Sequence, residues 1–516
     1  MLSLLLSSFV LVAQGGGLDE VWFADQQVRG WGVGDLDGDG IPDYGLYRSS
    51  AQVLDLYSGD DGLPLGSIEG APLAMDFLVV EPLGDVDGDG FGDLALSDSV
   101  GDGKVVVYSW GSSTVLYTLL PSFSNGEFGH SLEAVGDLDG DGVTDLLVGA
   151  PATFNDDGRL YAYSGASGAQ LFQSSIPDPA SAFGWRIVDL GDQDGDGVSD
   201  FAAAAPAADS LFGNDYGRIY VFSGATQNVI IALGGAGPDR FLGEELARIG
   251  DLDGDGRADL LASSWDPISG HSFVEAFGSN GWVRLWSSSS FFAGAPSLLG
   301  LGDWNGDGLS DLVAGAYGNL VNTTYGGIAV LSGADGSFVD LFLPPPGFDF
   351  FGERLSLVGD VARDGEPEFL VDSLQGTTLM GHSDFLFPDS AGLSQSQGGV
   401  VGMELDFPYT AAGYDYQILF SLAGPGSFSY LGLEVPLAMD ALVVRSLFGD
   451  YHFLPFASGM TGTLDADARG TAGFGVLPGA LPPAAIGRTW AVAAIAGPAG
   501  LPPETSSAAA VFTVLP

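Results

Sequence analysis

The chain has no cysteine among its 516 residues. That excludes a disulfide framework, cysteine-held zinc and thiol catalysis, and it leaves the compartment open. Basic residues are scarce too: 15 Lys and Arg stand against 67 Asp and Glu, a formal net charge of −52. A surface of that sign repels nucleic acid and anionic membranes, so neither is expected as a partner. Histidine occurs four times, at His130, His271, His382 and His452, without an HExxH motif or an evident nucleophile beside it. The apolar run from Leu2 to Ala13 is too short for an integral membrane span. Followed by small residues, it resembles the core of a signal peptide over residues 1–15, although no Lys or Arg precedes it. A buried first strand is the competing reading.

Glycine is abundant, at 81 residues with 28 Pro, and apolar residues make up 46% of the chain. This is the composition of turn-rich β structure rather than of disorder. The turns carry a pattern. Asp137-Leu-Asp139-Gly-Asp141-Gly-Val-Thr-Asp145 places carboxylates at positions 1, 3, 5 and 9 and glycines at 4 and 6. Alternate residues turn oxygens inward, the carbonyl of position 7 adds another, and Gly142 permits a sharp bend; a hard cation such as Ca²⁺ needs such a set.

The same loop recurs as Asp35, Asp37, Asp39 and Asp43, as Asp85, Asp87, Asp89 and Asp93, and as Asp192, Asp194, Asp196 and Asp200. Asp251, Asp253, Asp255 and Asp259 form a fifth loop, and Asp303, Asn305, Asp307 and Asp311 a sixth. A seventh, DVARDGEPE, keeps only Asp360, Asp364 and Glu368, with Ala362 and Arg363 at positions 3 and 4. About six calcium sites are therefore expected, with a seventh open. An EF-hand is excluded, because position 12 is Leu46, Leu96, Val148, Ala203 and Ala262 in the first five loops and apolar strands follow. Metal-free turns are the plain alternative. Each close carboxylate pair, however, costs about 1 kcal/mol even in water, a cost repeated in every loop.

The loops start 50, 52, 55, 59, 52 and 57 residues apart, the spacing of a repeat architecture. In the third unit Phe128-Gly129 opens a strand, SLEAVGD, that enters the acidic loop, and Asp145 to Pro151 is a short apolar strand. Gly158 to Gly165 alternates with the period of a strand, and AQLFQS follows a Gly-Ala-Ser-Gly turn. Phe183-Gly184, Phe241 with Gly243, and Phe351-Gly352 match the opening. Four strands per unit and seven units predict an all-β fold, a seven-bladed β-propeller whose closure hides most sheet edges. A solenoid is the competing repeat fold. The last unit has few strands of its own, so LDEVWFADQ near the N-terminus is expected to complete it.

The FG opening, the DxDxDGxxD loop and the GAP-like strand end, repeated in order, resemble the FG-GAP repeats of the integrin α-subunit propeller family. The resemblance covers residues 18–388, although the first two units lack a clear FG and the fifth ends in Ala-Ser-Ser. Residues 389–400 read as a linker. Residues 401–516, with strand-like Tyr416–Leu422, Ala441–Leu447 and Trp490–Ile495, read as a small C-terminal β-sandwich. The resemblance implies a secreted or cell-surface, non-catalytic binding or adhesion scaffold stabilised by Ca²⁺. It also implies a protein or carbohydrate ligand on the face opposite the calcium loops. Connections of that face carry Phe154, Phe212, Tyr216, Trp265, Tyr317 and Tyr325 among Asn and Asp. Aromatic plates beside polar groups suit sugar rings or a protein partner, and packing of the loop bases accounts for them equally. A lectin-like carbohydrate binder is the alternative function, and a hydrolase the third.

Overall fold

The computed structural model describes residues 21–23 and 28–381 apart from loop segments, and beyond them the backbone strands within 386–515. The loop segments set aside are 50, 61, 70–77, 100–101, 122–125, 153–156, 177, 179–180, 209–215, 236–239, 267–270, 290–295, 306, 317–325, 343–349, 362–366 and 375. The leader expected at residues 1–15 lies outside the described residues.

The third unit shows how the repeat folds. Leu132–Val135 runs into the acidic loop, Asp145–Ala150 returns beside it, and Arg159–Tyr163 and Gln170–Ser174 complete an antiparallel four-stranded sheet. The second strand is buried at all six positions. It is packed on both faces, which is why its sequence is a continuous apolar run rather than an alternating one. The outer strand, in contrast, leaves water-facing positions along its length.

Seven such sheets form the ring. Inner strands Val28–Gly34, Leu78–Gly84, Leu132–Val135, Ile187–Gly191, Leu246–Ile249, Ser297–Gly300 and Arg354–Gly359 each pack against the next, and the last packs against the first. Cores lie between blades rather than within them. One apolar cluster joins Leu83, Val105 and Val107 of the second blade to Phe128, Leu146 and Tyr161 of the third. Another joins Leu147 and Leu160 of the third to Phe183, Phe201 and Phe222 of the fourth.

The seventh blade takes three strands from its own unit, Arg354–Gly359, Glu368–Ser373 and Gly376–Met380. Its fourth is Val21–Phe23, from the other end of the repeat region, as the strand count required. Hydrogen bonds across the seam fasten the first blade to the seventh. Gly30 N–H donates to Asp372 Oδ1 (3.1 Å), Gly32 N–H to Ser356 Oγ (3.1 Å), and the Thr377 hydroxyl to the Val28 carbonyl (3.2 Å).

The FG motif works at the blade boundary. Phe128 is fully buried and sits edge-on to Tyr161 and Tyr163 of its own blade, at 5.4 and 6.1 Å. Its backbone bridges Gly103 of the blade before. Gly129 N–H then donates to the carbonyl of Gly149, the glycine of the GAP end (2.9 Å). The fifth blade departs from the sequence reading. Leu242, not Phe241, is fully buried and bridges Gly217. Phe241 has a φ of 46° and occupies the left-handed step that Glu127, Ala182 and Phe350 occupy before the other openings. The motif there is Leu-Gly, because the pocket demands a buried apolar side chain directly before the glycine.

Residues Leu379–Pro516 form a second compact unit. Leu386–Pro388, Gly399–Asp406, Arg469–Val476 and Phe456–Ser458 make one antiparallel sheet. Gly392–Ser394, Ala510–Leu515, Thr489–Gly497, Asp415–Ser421 and Thr461–Thr463 make another. Strands thus occupy two of the three segments expected there, and residues 441–447 lie outside the described residues. No helix occurs among the described residues, and none is long and apolar enough to cross a membrane.

Candidate functional site

Each acidic loop joins the inner strand of its blade to the second, so all the loops lie on one face of the ring. The position-1 carboxylate organises the turn. Asp137 Oδ1 accepts from the N–H groups of Gly140 (2.6 Å) and Asp141 (3.0 Å), and its Oδ2 from Gly142 (2.7 Å). Gly140 and Gly142 have φ of 84° and 88°, a backbone that a side chain would strain. The same bonds recur from Asp35, Asp85, Asp192 and Asp251. The donated hydrogen bonds, Gly142 first, hold the Asp137 carboxyl below the usual carboxylate range, and those led by Gly197 and Gly256 do the same for Asp192 and Asp251.

Position 9 is a different environment. Asp43, Asp93, Asp145, Asp200, Asp259 and Asp311 are fully buried, and Glu368 of the seventh loop is 1% exposed. Asp145 Oδ2 accepts from Leu138 N–H (2.8 Å), and Oδ1 from Gly165 N–H (3.0 Å) in the turn between the third and outer strands. Asp43, Asp200 and Asp311 make the corresponding pair of bonds. This carboxylate therefore staples the acidic loop to the neighbouring hairpin, a task that the ligand spacing alone does not reveal. Burial raises its pKa in every blade from the first to the sixth, to about 6 at Asp43, Asp145 and Asp311.

In five loops three carboxylates bring an oxygen each within 4.8 Å of one another. Positions 1, 3 and 5 do so at Asp35, Asp37 and Asp39 and at Asp251, Asp253 and Asp255. Positions 1, 3 and 9 do so at Asp85, Asp87 and Asp93, at Asp137, Asp139 and Asp145, and at Asp192, Asp194 and Asp200. Asp89, Asp141 and Asp196 stand in the same turns, each accepting the N–H of position 7. The sixth loop has the same turn, with Asp307 N–H donating to Asp303 Oδ1 and Asn305 Oδ1 at 2.9 Å each. In the seventh, Glu368 Oε2 still accepts from Val361 N–H (2.7 Å), whereas Asp364 lies outside the described residues.

The donor set fits a hard divalent cation. Among the described residues the converging carboxylates form no ion pair with Lys, Arg or His, and Asp93 Oδ1 and Asp253 Oδ1 are buried with no hydrogen-bond donor. A buried anionic oxygen left unpaired is costly, and a cation would satisfy it.

The opposite face carries the connections between second and third strands and between blades. Of the aromatic residues expected there, Phe154, Phe212, Tyr317 and Tyr325 lie outside the described residues. Tyr216 is half-buried. Trp265 belongs to the strand Asp259–Asp266, opposite Ser272, so the hairpin there is longer than the sequence suggested. His130 packs on Trp185 (4.4 Å between rings) beside Arg186, and burial together with that guanidinium lowers its pKa to about 4. His271 begins a strand of the fifth blade, and His382 and His452 lie outside the described residues.

Comparison with known proteins agrees with this arrangement. A family model for the FG-GAP repeat matches residues 128–163, the third blade. Integrin α-4 of Xenopus laevis is 32% identical over 180 residues, covering 32% of this chain and 17% of that protein. Human integrin α-7 is 34% identical over 149 residues, covering 27% of this chain and 12% of the relative. Integrin α-5 of Xenopus laevis is 29% identical over 241 residues, 41% of this chain and 22% of the relative. The matched segments thus span less than a quarter of each of these relatives. Motif, spacing and a closed ring of seven four-stranded blades converge, and this chain is an FG-GAP-repeat β-propeller protein, similar in its repeats to the integrin α subunits.

Proposed function

We propose that the chain is an exported, calcium-stabilised propeller that serves as a non-catalytic binding or adhesion scaffold. The observation that carries the calcium reading is the recurrence, in five blades, of three carboxylates within 4.8 Å of one another on one face. The sixth loop joins them through Asp303, Asn305, Asp307 and Asp311, and the seventh, with Ala362 and Arg363 in place of ligand and glycine, is the weakest. Filling each site at ten times its dissociation constant adds about 1.4 kcal/mol, and six sites add on the order of 8 kcal/mol. That is comparable to the whole stability of a typical domain, so the ions are read as structural.

Similarity to integrin α subunits supports a role in binding, and a rigid ring that presents loops on the face away from the ions suits one. The non-catalytic reading draws on His130. Held neutral by burial and a neighbouring guanidinium, with a pKa near 4, it is a weak general base near pH 7. The C-terminal sheets are read as a small β-sandwich accompanying the propeller.

The test is a thermal melt in EGTA with calcium or magnesium added back, combined with a count of bound ions. A calcium-specific rise in Tm with several ions per chain supports the reading. No shift and no bound calcium would overturn it.

A further inference from the structure

A molecule with so few basic residues gathers three arginines at one place. A cavity of about 610 Å³ opens at the end of the central channel away from the acidic loops, and residues of all seven blades line it. Arg29 is the second residue of the inner strand of the first blade, Arg354 begins that of the seventh, and Arg186 precedes that of the fourth. All three line the cavity. The guanidinium of Arg354 lies 3.9 Å from the centre of the Trp31 ring, which supports it from beneath. Arg29 and Arg186 are near enough that their charges act on Arg354.

Among the described residues the acids of the cavity form no ion pair with two of these cations, although the charge of Asp372 acts on both Arg29 and Arg354. Glu245 is bound to Arg186. Asp372 turns Oδ1 to Gly30 N–H and the Thr377 hydroxyl (2.6 Å), at the seam between the first and seventh blades. Glu353 is exposed at the rim. Among the described residues no carboxylate lies within 4 Å of the guanidinium of Arg29 or of Arg354. Two like charges at adjoining blades, in a chain that otherwise repels anions, cost stability unless something uses them. Asp372 adds a second vacancy in the chemistry: the residue lines the same cavity, and its Oδ2 is buried and has no donor.

We propose that this channel mouth binds a small hydroxylated carboxylate, a hydroxy acid or an acidic sugar residue. The carboxylate would sit between Arg29 and Arg354, and a hydroxyl would donate to Asp372 Oδ2. Planar guanidinium groups match a carboxylate with paired hydrogen bonds, and the cavity has the size usual for small ligands. Burial raises the pKa of Asp372 against the pull of Arg354, and it lowers that of Arg354 to about 10, so Arg354 still carries its charge at neutral pH. The site requires neither a cell partner nor an ion in the loops, and so stands apart from the adhesion reading.

Calorimetric titration of the full chain in calcium buffer tests the site, with D-glucuronate, malate and oligouronates as probes and glucose and methyl glucuronate as uncharged controls. Saturable binding of the acids and not of the controls is expected. Tighter binding of oligouronates than of glucuronate assigns the site to an acidic polysaccharide, and equal binding assigns it to a free acid. Arg29→Gln leaves the buried structure intact because Arg29 is exposed, and it should weaken binding about tenfold or more, as loss of a charged hydrogen bond does. Arg354→Lys keeps the charge over Trp31 but loses the fork, and should weaken binding as well. No binding of any carboxylate at millimolar concentration, equal binding of methyl glucuronate, or an affinity unchanged in Arg29→Gln would overturn the proposal.

Discussion

Gly149 shows why a glycine stands at the end of the second strand. A Cβ built there would lie 2.1 Å from the Gly184 carbonyl oxygen and 2.2 Å from Ser131 Oγ, which themselves share a hydrogen bond of 2.8 Å. The next blade's FG turn therefore occupies the space a side chain would need, and neither backbone nor hydroxyl can retreat without breaking the stitch. Gly149→Ala should destabilise the propeller by roughly 1–3 kcal/mol, the usual cost of overpacking. Chemical denaturation in saturating calcium measures it, and an unchanged midpoint would refute the account. Gly149 was legible in the sequence as part of a repeated GAP, but its partner across the blade boundary was not, because 35 residues separate it from Gly184. Phe241 marks the complementary failure. Reading for an aromatic residue near a glycine selected it, whereas the fold selects whichever apolar residue directly precedes the glycine, here Leu242.

The acidic loop is an element with two separable parts. The convergence of three carboxylates in five loops was legible from spacing, since alternate residues of the turn face inward. The staple made by position 9 was not, since its partners, such as Gly165 for Asp145, belong to another hairpin. The parts should respond differently to removal of one charge. Asp141 Oδ1 accepts one N–H, from Val143 at 2.9 Å, which an asparagine can also accept. Asp141→Asn should thus keep Tm in EGTA unchanged while diminishing the rise on adding calcium. In Asp145→Asn the amide NH₂ must face the N–H of either Leu138 or Gly165, two donors in a buried place. That variant should lose about 1–3 kcal/mol in EGTA as well as in calcium. Thermal melts of both variants under both conditions distinguish the roles, and equal behaviour would show that position 9 is a ligand and nothing more. The seventh blade keeps the loop half of this arrangement, with Glu368 accepting from Val361 N–H where the ligand sequence has decayed.

At the scale of the whole molecule, closure and charge are linked. Seven blades make a ring only because Val21–Phe23 completes the last sheet, so strain in any loop is carried by a structure without a free end among its blades. That closure was legible by counting strands. The response of the ring to pH was not, because it depends on burial. Burial raises the pKa of the position-9 acids, to about 6 at Asp43, Asp145 and Asp311, whereas an unfolded Asp titrates near 4. Between about pH 4 and 6 these acids hold more protons folded than unfolded, and His130, lowered to about 4, acts the other way but is one group against several, so stability falls as pH rises through that window. Buried Glu81 and Glu133, whose pKa values burial raises as well, act in the same direction, as does repulsion within a chain of net charge −52. Asp137, Asp192 and Asp251, lowered by their hydrogen bonds, contribute stability that is lost only as pH falls below about 4, outside the window. In EGTA, Tm is therefore expected to decline from pH 4 to 6. Ions in the loops would reverse the slope, since they bind the carboxylates only when these are ionised, and deprotonation becomes a gain rather than a cost. Melts across that range with and without calcium should diverge as pH rises. Parallel curves would mean that the buried acids and the ion sites are not coupled, and that the loops hold their shape through the staple alone.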